Sequence, residues 1–178
     1  MTINNFMRDE PGRQELRNIC AQLPSGIDMV EVGVYAGEST LALLECGKFK
    51  RYVVVDPWID DYDSSQCDCL STNHRMTYVE QSFRENVLSR YPFVEIIKAS
   101  STDAAKLLNG QMFDVCYIDA DHRYEFIKED ILNYMKLIRP GGFMSGHDYN
   151  DAWGVKRAVD EIFPGGATAY AGSWLKQV

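Results

Sequence analysis

Residues 29–40 read Met29-Val-Glu-Val-Gly-Val-Tyr-Ala-Gly-Glu-Ser-Thr40. An apolar strand runs into Glu31-x-Gly33-x-x-x-Gly37, and a helix begins at once from Ser39, Thr40 and Leu41. The next apolar run, Tyr52-Val-Val-Val, ends on the carboxylate of Asp56. Strand, glycine turn, helix and a second strand tipped with an acid make up a βαβ half-site.

Such a half-site suits an adenosine-type ligand. Glycines let the backbone approach it, the helix N-terminus offers free N–H groups, and a strand-end acid accepts from ribose hydroxyls. The glycine spacing selects among such ligands. A dinucleotide site wants Gly-x-Gly-x-x-Gly with a pyrophosphate on the helix N-terminus, but here the first position is Glu31, whose charge would repel a diphosphate. A carboxylate suits a ligand with a cationic amino-acid portion and no phosphate, and S-adenosylmethionine meets that description. Tight packing alone would also explain the two glycines, so the reading rests on Gly33, Gly37, Glu31 and Asp56 together.

Outward from this stretch, strands and helices alternate. Residues 12–23 place Leu16, Ile19, Cys20 and Leu23 on one helical stripe, stopped by Pro24-Ser-Gly. Strands are expected at 28–33, 52–56, 93–98, 113–119 and 143–146, with helices near 38–47, 75–90, 101–109, 124–138 and 154–163. Runs 167–171 and 173–178 around Gly172 read as a terminal antiparallel hairpin. The pattern predicts a single α/β domain over 1–178: a Rossmann-like, doubly wound, mostly parallel sheet behind an N-terminal helical segment (1–27). Residues 57–75 are long, polar and irregular, and read as a surface loop or lid.

A chain of 178 residues with 46% hydrophobic content fills one core. The net charge of −8 argues against a nucleic-acid or anionic-membrane partner. No apolar run approaches the ~20 residues that span a bilayer, and residues 1–10 carry acids rather than a leader's apolar core. Of five cysteines, Cys20, Cys46 and Cys116 have apolar neighbours, as small core residues do. The expectation is a soluble, reduced, cytoplasmic protein.

In open sheets of this kind ligands bind beyond the carboxyl ends of the strands. The polar residues expected there are Glu31, Asp56, Ser100 and Ser101, Asp119-Ala-Asp121-His122, and His147-Asp148. Five strands thus deliver chemistry to one rim.

The chain resembles the class I S-adenosylmethionine-dependent methyltransferases, within them a group of small enzymes related to the metal-dependent sugar and catechol O-methyltransferases. The resemblance lies in Val30-Glu-Val-Gly-Val-Tyr-Ala-Gly-Glu-Ser-Thr, Val54-Val-Asp-Pro-Trp, Tyr117-Ile-Asp-Ala-Asp-His-Arg-Tyr-Glu and Leu137-Ile-Arg-Pro-Gly-Gly-Phe-Met-Ser-Gly-His-Asp-Tyr. It implies a seven-stranded sheet with the last strand antiparallel. Glu31, Gly33 and Gly37 would line the methionine side of the cofactor, Asp56 would hold the ribose, and Ser100 and Ser101 would flank the adenine. Asp119 belongs to the same cofactor-facing rim. The long N-terminal helical extension that often builds the acceptor pocket in such enzymes is missing, and a neighbouring copy in a homo-oligomer is one way to complete it.

Asp119 and Asp148 are expected on neighbouring strand ends, where with His147 they offer a ligand set for Mg²⁺ or Mn²⁺. His147 departs from the carboxylate- or amide-rich set of the similar enzymes. A histidine at the spacing of His122 is the proposed base in similar sugar O-methyltransferases, which implies that role here; helix capping is the plainer alternative. Asp121 is a supporting partner or a further ligand, while Tyr124 and Glu125 start the next helix. Cys67-x-Cys69 with His74 lacks standard zinc spacing. Trp58, Tyr62 and Trp153 are expected near the acceptor, and Trp174 in the core.

These readings favour O-methylation of a small hydroxylated acceptor. Metal-independent N-methylation, a dehydrogenase of similar architecture and an idle binding domain of the same fold are the alternatives, and Glu31 speaks against the dehydrogenase.

Overall fold

The computed structural model describes residues 10–60 and 75–178. Helix α1 (Glu10–Gln22) leads into β1 (Ile27–Val32), α2 (Glu38–Leu44) and β2 (Phe49–Val55). Next come α3 (Met76–Phe83), prolonged by a π-helical turn at Arg84–Leu88, then β3 (Val94–Ile97), α4 (Ser101–Leu107), β4 (Phe113–Ile118), α5 (Tyr124–Met135), β5 (Ile138–Gly146) and α6 (Val155–Ile162). Strands β6 (Thr168–Tyr170) and β7 (Ser173–Gln177) close the chain.

The sheet runs β3-β2-β1-β4-β5-β7-β6. Its first five strands are parallel, and β7 lies antiparallel between β5 and β6. The expected seven-stranded, mostly parallel sheet with a terminal antiparallel hairpin is therefore the fold. Strand β1 lies inside the sheet between β2 and β4, and every one of its residues is buried, because helices cover both sheet faces. Alternation assigns each side chain to a face. Met29, Tyr52, Val54, Val115 and Tyr117 pack beneath α1, α2 and α3. Val30, Val32, Val53, Val55, Cys116 and Ile118 face α4, α5 and α6.

The expected start of the fifth strand needs adjustment. Pro140-Gly-Gly ends the preceding helix in the sequence reading, yet β5 already begins at Ile138, and a bulge separates the Phe113–Ile138 and Val115–Phe143 pairs. Val178 stitches that bulge down: Gly141 N–H donates to its carbonyl, and its own N–H donates to Gly142. A breaker motif ends a helix as readily as it bulges a strand, and only pairing with β4 and the C-terminal residues separates the two.

Candidate active site at the strand carboxyl ends

Four rim residues are pinned by one repeated device. The first residue beyond each of four parallel strands donates its N–H to the neighbouring strand's last carbonyl. Gly33 donates to Val55, Asp56 to Ile97, Asp119 to Val32 and His147 to Ile118, at 2.9, 3.3, 2.8 and 3.1 Å. Sheet order thereby fixes where each rim side chain starts.

On the β1–β2 side the acids turn inward. Glu31 shares the face of Met29 and Tyr52, and it is 0% exposed. Its carboxylate accepts hydrogen bonds from Ser39 Oγ (2.6 Å), Thr40 Oγ1 (2.7 Å) and Tyr52 OH (2.8 Å). Burial pushes the carboxyl up to about 7 against the pull of those three hydroxyls. Glu31 therefore braces the first turn of α2 from below. Asp56, 7% exposed, accepts from Val34 N and Tyr35 N through Oδ2 and from Trp58 N through Oδ1. Burial raises its pKa, and the three backbone donors oppose that rise. Asp56 thus staples the glycine loop to the end of β2.

The two glycines have steric reasons of their own. A β-carbon on Gly33 (φ +80°) would sit 2.4 Å from the Asp119 carbonyl oxygen; one on Gly37 (φ +92°) would sit 2.6 Å from Val87 Cγ2. Ser100 caps α4 by accepting from Asp103 N. Ser101 gives its carbonyl to Tyr134 OH, and its side chain bonds Asp130. Trp58 is buried, its indole N–H on the Tyr35 carbonyl and its ring against Phe83. It belongs to the core, as Trp174 does, while Trp153 is exposed. Tyr62, Cys67, Cys69 and His74 lie outside the described residues.

On the β4–β5 side charges converge. His122 Nε2 lies 3.4 Å from Asp119 Oδ1 and 3.2 Å from Asp148 Oδ2. His147 Nδ1 lies 3.7 and 3.2 Å from the same two oxygens. One carboxylate pair thus has an imidazole on either side. Ligand atoms of Asp119, His122 and Asp148 all fall within 4.8 Å of one another, close enough to share a cation. Asp148 holds a left-handed backbone, φ 53°, a conformation that non-glycine residues adopt rarely and often at functional sites. Burial pushes its carboxyl up, but the His147 hydrogen bond and the charges of His147 and His122 outweigh it and hold the group below its ordinary value. Asp121 instead belongs to Arg123, which binds it through its backbone N–H and its guanidinium. Tyr124 and Glu125 open α5 as expected.

Sequence reasoning missed Glu15. Its side chain reaches from α1 to within 3.2 Å of His147 Nε2. The available signal was an acid bordering the apolar stripe of Leu16 and Ile19. Beside this contact opens a depression of about 450 Å³, lined by Pro11, Gly12, Glu15, Glu38, His147 and Gly172.

A family model described as a methyltransferase domain matches residues 30–149, which contain both halves of this rim. The chain belongs to that methyltransferase family. Its fold is shared with solved O-methyltransferases. An uncharacterised protein of Acanthamoeba polyphaga mimivirus is 28% identical in an alignment 145 residues long that covers 75% of this chain and 58% of that relative. The chain therefore spans little more than half the length of this relative. The O-methyltransferase TomG of Streptomyces achromogenes, solved with S-adenosylmethionine, shares the fold: TM-score 0.68 at 20% identity, over 98% of this chain and 82% of that one. An O-methyltransferase of Bacillus cereus, solved with S-adenosylhomocysteine, superposes with TM-score 0.63 at 16% identity, over 97% and 81%. Among the described residues, no helix of this methyltransferase domain is long and apolar enough to cross a membrane.

Proposed function

We propose that this methyltransferase-family chain transfers a methyl group from S-adenosylmethionine to an oxygen of a small hydroxylated acceptor, assisted by a divalent cation. The observation that carries the reading is the carboxylate pair Asp119–Asp148 flanked by His122 and His147, beside the β1 glycine loop.

The donor brings a methyl group already activated on a sulfonium, so the protein's work is positioning and proton removal. In this reading the loop Gly33–Gly37, held by Asp56 and by the Glu31–Ser39–Thr40 bonds, presents backbone to the methionine portion. Asp56 stands on the ribose side and acts there through the loop it holds, while Ser100 and Ser101 lie near the adenine. Asp119 stands between this half of the rim and the reacting half.

Asp119, Asp148 and the His147 Nδ1 would hold Mg²⁺ or Mn²⁺, which supplies a positive charge that lowers an acceptor hydroxyl's pKa. His122, against the same carboxylates, takes the acceptor proton. The depression beside His147 gives a small molecule a way in, and its carboxylates favour neutral or cationic acceptors over anions. A second assignment exchanges the imidazoles, with His122 as the ligand, and the convergence of Asp119, His122 and Asp148 favours it.

The experiment is thermal shift and calorimetry with S-adenosylhomocysteine, NAD and Mn²⁺ on the purified chain. A ligand of the native state raises the melting temperature by mass action. S-adenosylhomocysteine and Mn²⁺ are expected to stabilise the chain and NAD to leave it unchanged. Stabilisation by NAD alone would sink the reading. Chelator-resistant methylation of an amine would replace it with metal-independent N-methylation. His122→Ala and His147→Ala separate the two assignments, because only loss of the ligand imidazole weakens Mn²⁺ binding.

A further inference from the structure

Glu15 lies outside residues 30–149 and no part of the reaction just described uses it. Its side chain is nonetheless only 6% exposed, and a carboxylate so buried needs partners to offset its lost hydration. Oε2 accepts from the Gly172 N–H at 2.7 Å, and Oε1 faces His147 Nε2 at 3.2 Å. Gly172 backs the pair closely: a β-carbon there would stand 3.2 Å from His147 Nε2 and 3.4 Å from Glu15 Oε2. Three separate elements, α1, the end of β5 and the β6–β7 turn, meet at this contact.

We infer that Glu15 is a positioning residue that fixes the orientation and tautomer of the His147 ring, and through it the geometry of the Asp119–Asp148 pair. A carboxylate only accepts, so the hydrogen in the Glu15–His147 bond belongs to Nε2. Without a cation Nδ1 also carries a hydrogen, given to Asp148; with Nε2 held by Glu15, Nδ1 is the nitrogen that gives up its hydrogen and offers a lone pair when a cation binds. Nδ1 is the atom that faces Asp148 Oδ2 at 3.2 Å and Asp119 Oδ1 at 3.7 Å. A lone pair aimed between two carboxylate oxygens is the donor arrangement a shared divalent cation requires, and a carboxylate behind the far ring nitrogen is how such ligands are oriented. The orientation of the ring stands on the contacts alone; its consequence for a cation rests on the cation reading above.

The test uses the whole chain with ¹⁵N-labelled histidine, Mn²⁺ as the metal probe, and S-adenosylhomocysteine as a control for integrity. In the wild type the His147 ring, assigned through His147→Gln, shows a proton on Nε2. In Glu15→Gln the carboxamide oxygen keeps the Gly172 N–H and turns its NH₂ toward Nε2, so that proton moves. Mn²⁺ affinity then falls about 10- to 100-fold, the usual cost of losing such a partner. S-adenosylhomocysteine affinity and the melting temperature stay near wild type. An unchanged ring pattern in Glu15→Gln and in Glu15→Ala overturns the inference. Parallel loss of melting temperature and of both affinities in Glu15→Gln also overturns it, because it assigns Glu15 to holding the fold alone. If the wild type binds S-adenosylhomocysteine but no Mn²⁺, the cation reading fails by itself, and the ring pattern still decides the role of Glu15.

Discussion

Two halves of one rim treat their acids in opposite ways. At the ends of β1 and β2, Glu31 and Asp56 are buried and each is met by three donors from its own neighbourhood. At the ends of β4 and β5, Asp119 and Asp148 keep 16% and 22% of their side chains exposed and stand beside each other with an imidazole on either flank. Buried acids with their acceptors filled serve the fold, since removing a donor strands a charge. Adjacent, partly exposed carboxylates repel each other and are stabilised by positive charge beside them, from the imidazoles or from a cation. The first half shapes a loop, and the second is where the proposed reaction is placed.

The hardest blow to the shaping half should be Gly33→Ala. The added carbon meets backbone, the Asp119 carbonyl oxygen at 2.4 Å, at a φ of +80°. Neither can yield without moving β1 against β4, and a loss of about 4 kcal/mol is expected from urea unfolding. A loss below about 1 kcal/mol would show that the loop is slack and the division between the halves is wrong.

Next in size is a pH effect. Burial raises the Glu31 carboxyl from 4.5 to about 7, so the native chain binds that proton more tightly than the unfolded chain. The resulting stability is present in full below about pH 4.5 and is lost as pH rises through 7, a change on the order of 3 kcal/mol. Asp130, raised by burial to about 7 as well, adds to the same slope. Chemical denaturation from pH 5 to 8 should show the decline, and Glu31→Gln should remove the Glu31 share and leave that of Asp130. A variant as steep as the wild type would mean that Glu31 is better solvated than its three hydroxyl contacts imply.

The smallest stability effect is expected where the proposed function places the chemistry. Asp148→Asn removes a charge that Asp119 repels and the two imidazoles attract, and asparagine tolerates the φ of 53°. Unfolding should change by less than about 0.5 kcal/mol, while Mn²⁺ binding and methyl transfer fall sharply. Destabilisation on the scale of Gly33→Ala would make the β4–β5 cluster structural.

Much of the fold was legible because its signals are local. Strands β2, β3, β4 and β5 end where an apolar run meets a polar residue, Asp56, Lys98, Asp119 and His147, and breakers placed the helix ends within a few residues. The bulge at Pro140-Gly141-Gly142 was not, because it depends on pairing with β4 and Val178. The site was legible as a set of positions but not as directions. Glu31 was read as facing a ligand, although period-two alternation already put it on the buried face of Met29, opposite Val30 and Val32. The aromatic rings divided in the same way, Trp58 entering the core while Trp153 stayed exposed, a distinction that no spacing carries.

The sequence by itself determined an alternating parallel architecture and the polar residues offered along one edge, because periodicity and turn chemistry act over a few neighbouring residues. Only the tertiary structure decided which of those acids are spent on the fold, that two imidazoles flank a single carboxylate pair, and that Glu15 stands behind one of them. Glu15 and the turn it binds are 157 residues apart in the chain. Proximity across that distance is created by sheet order and helix packing, and no local pattern records it.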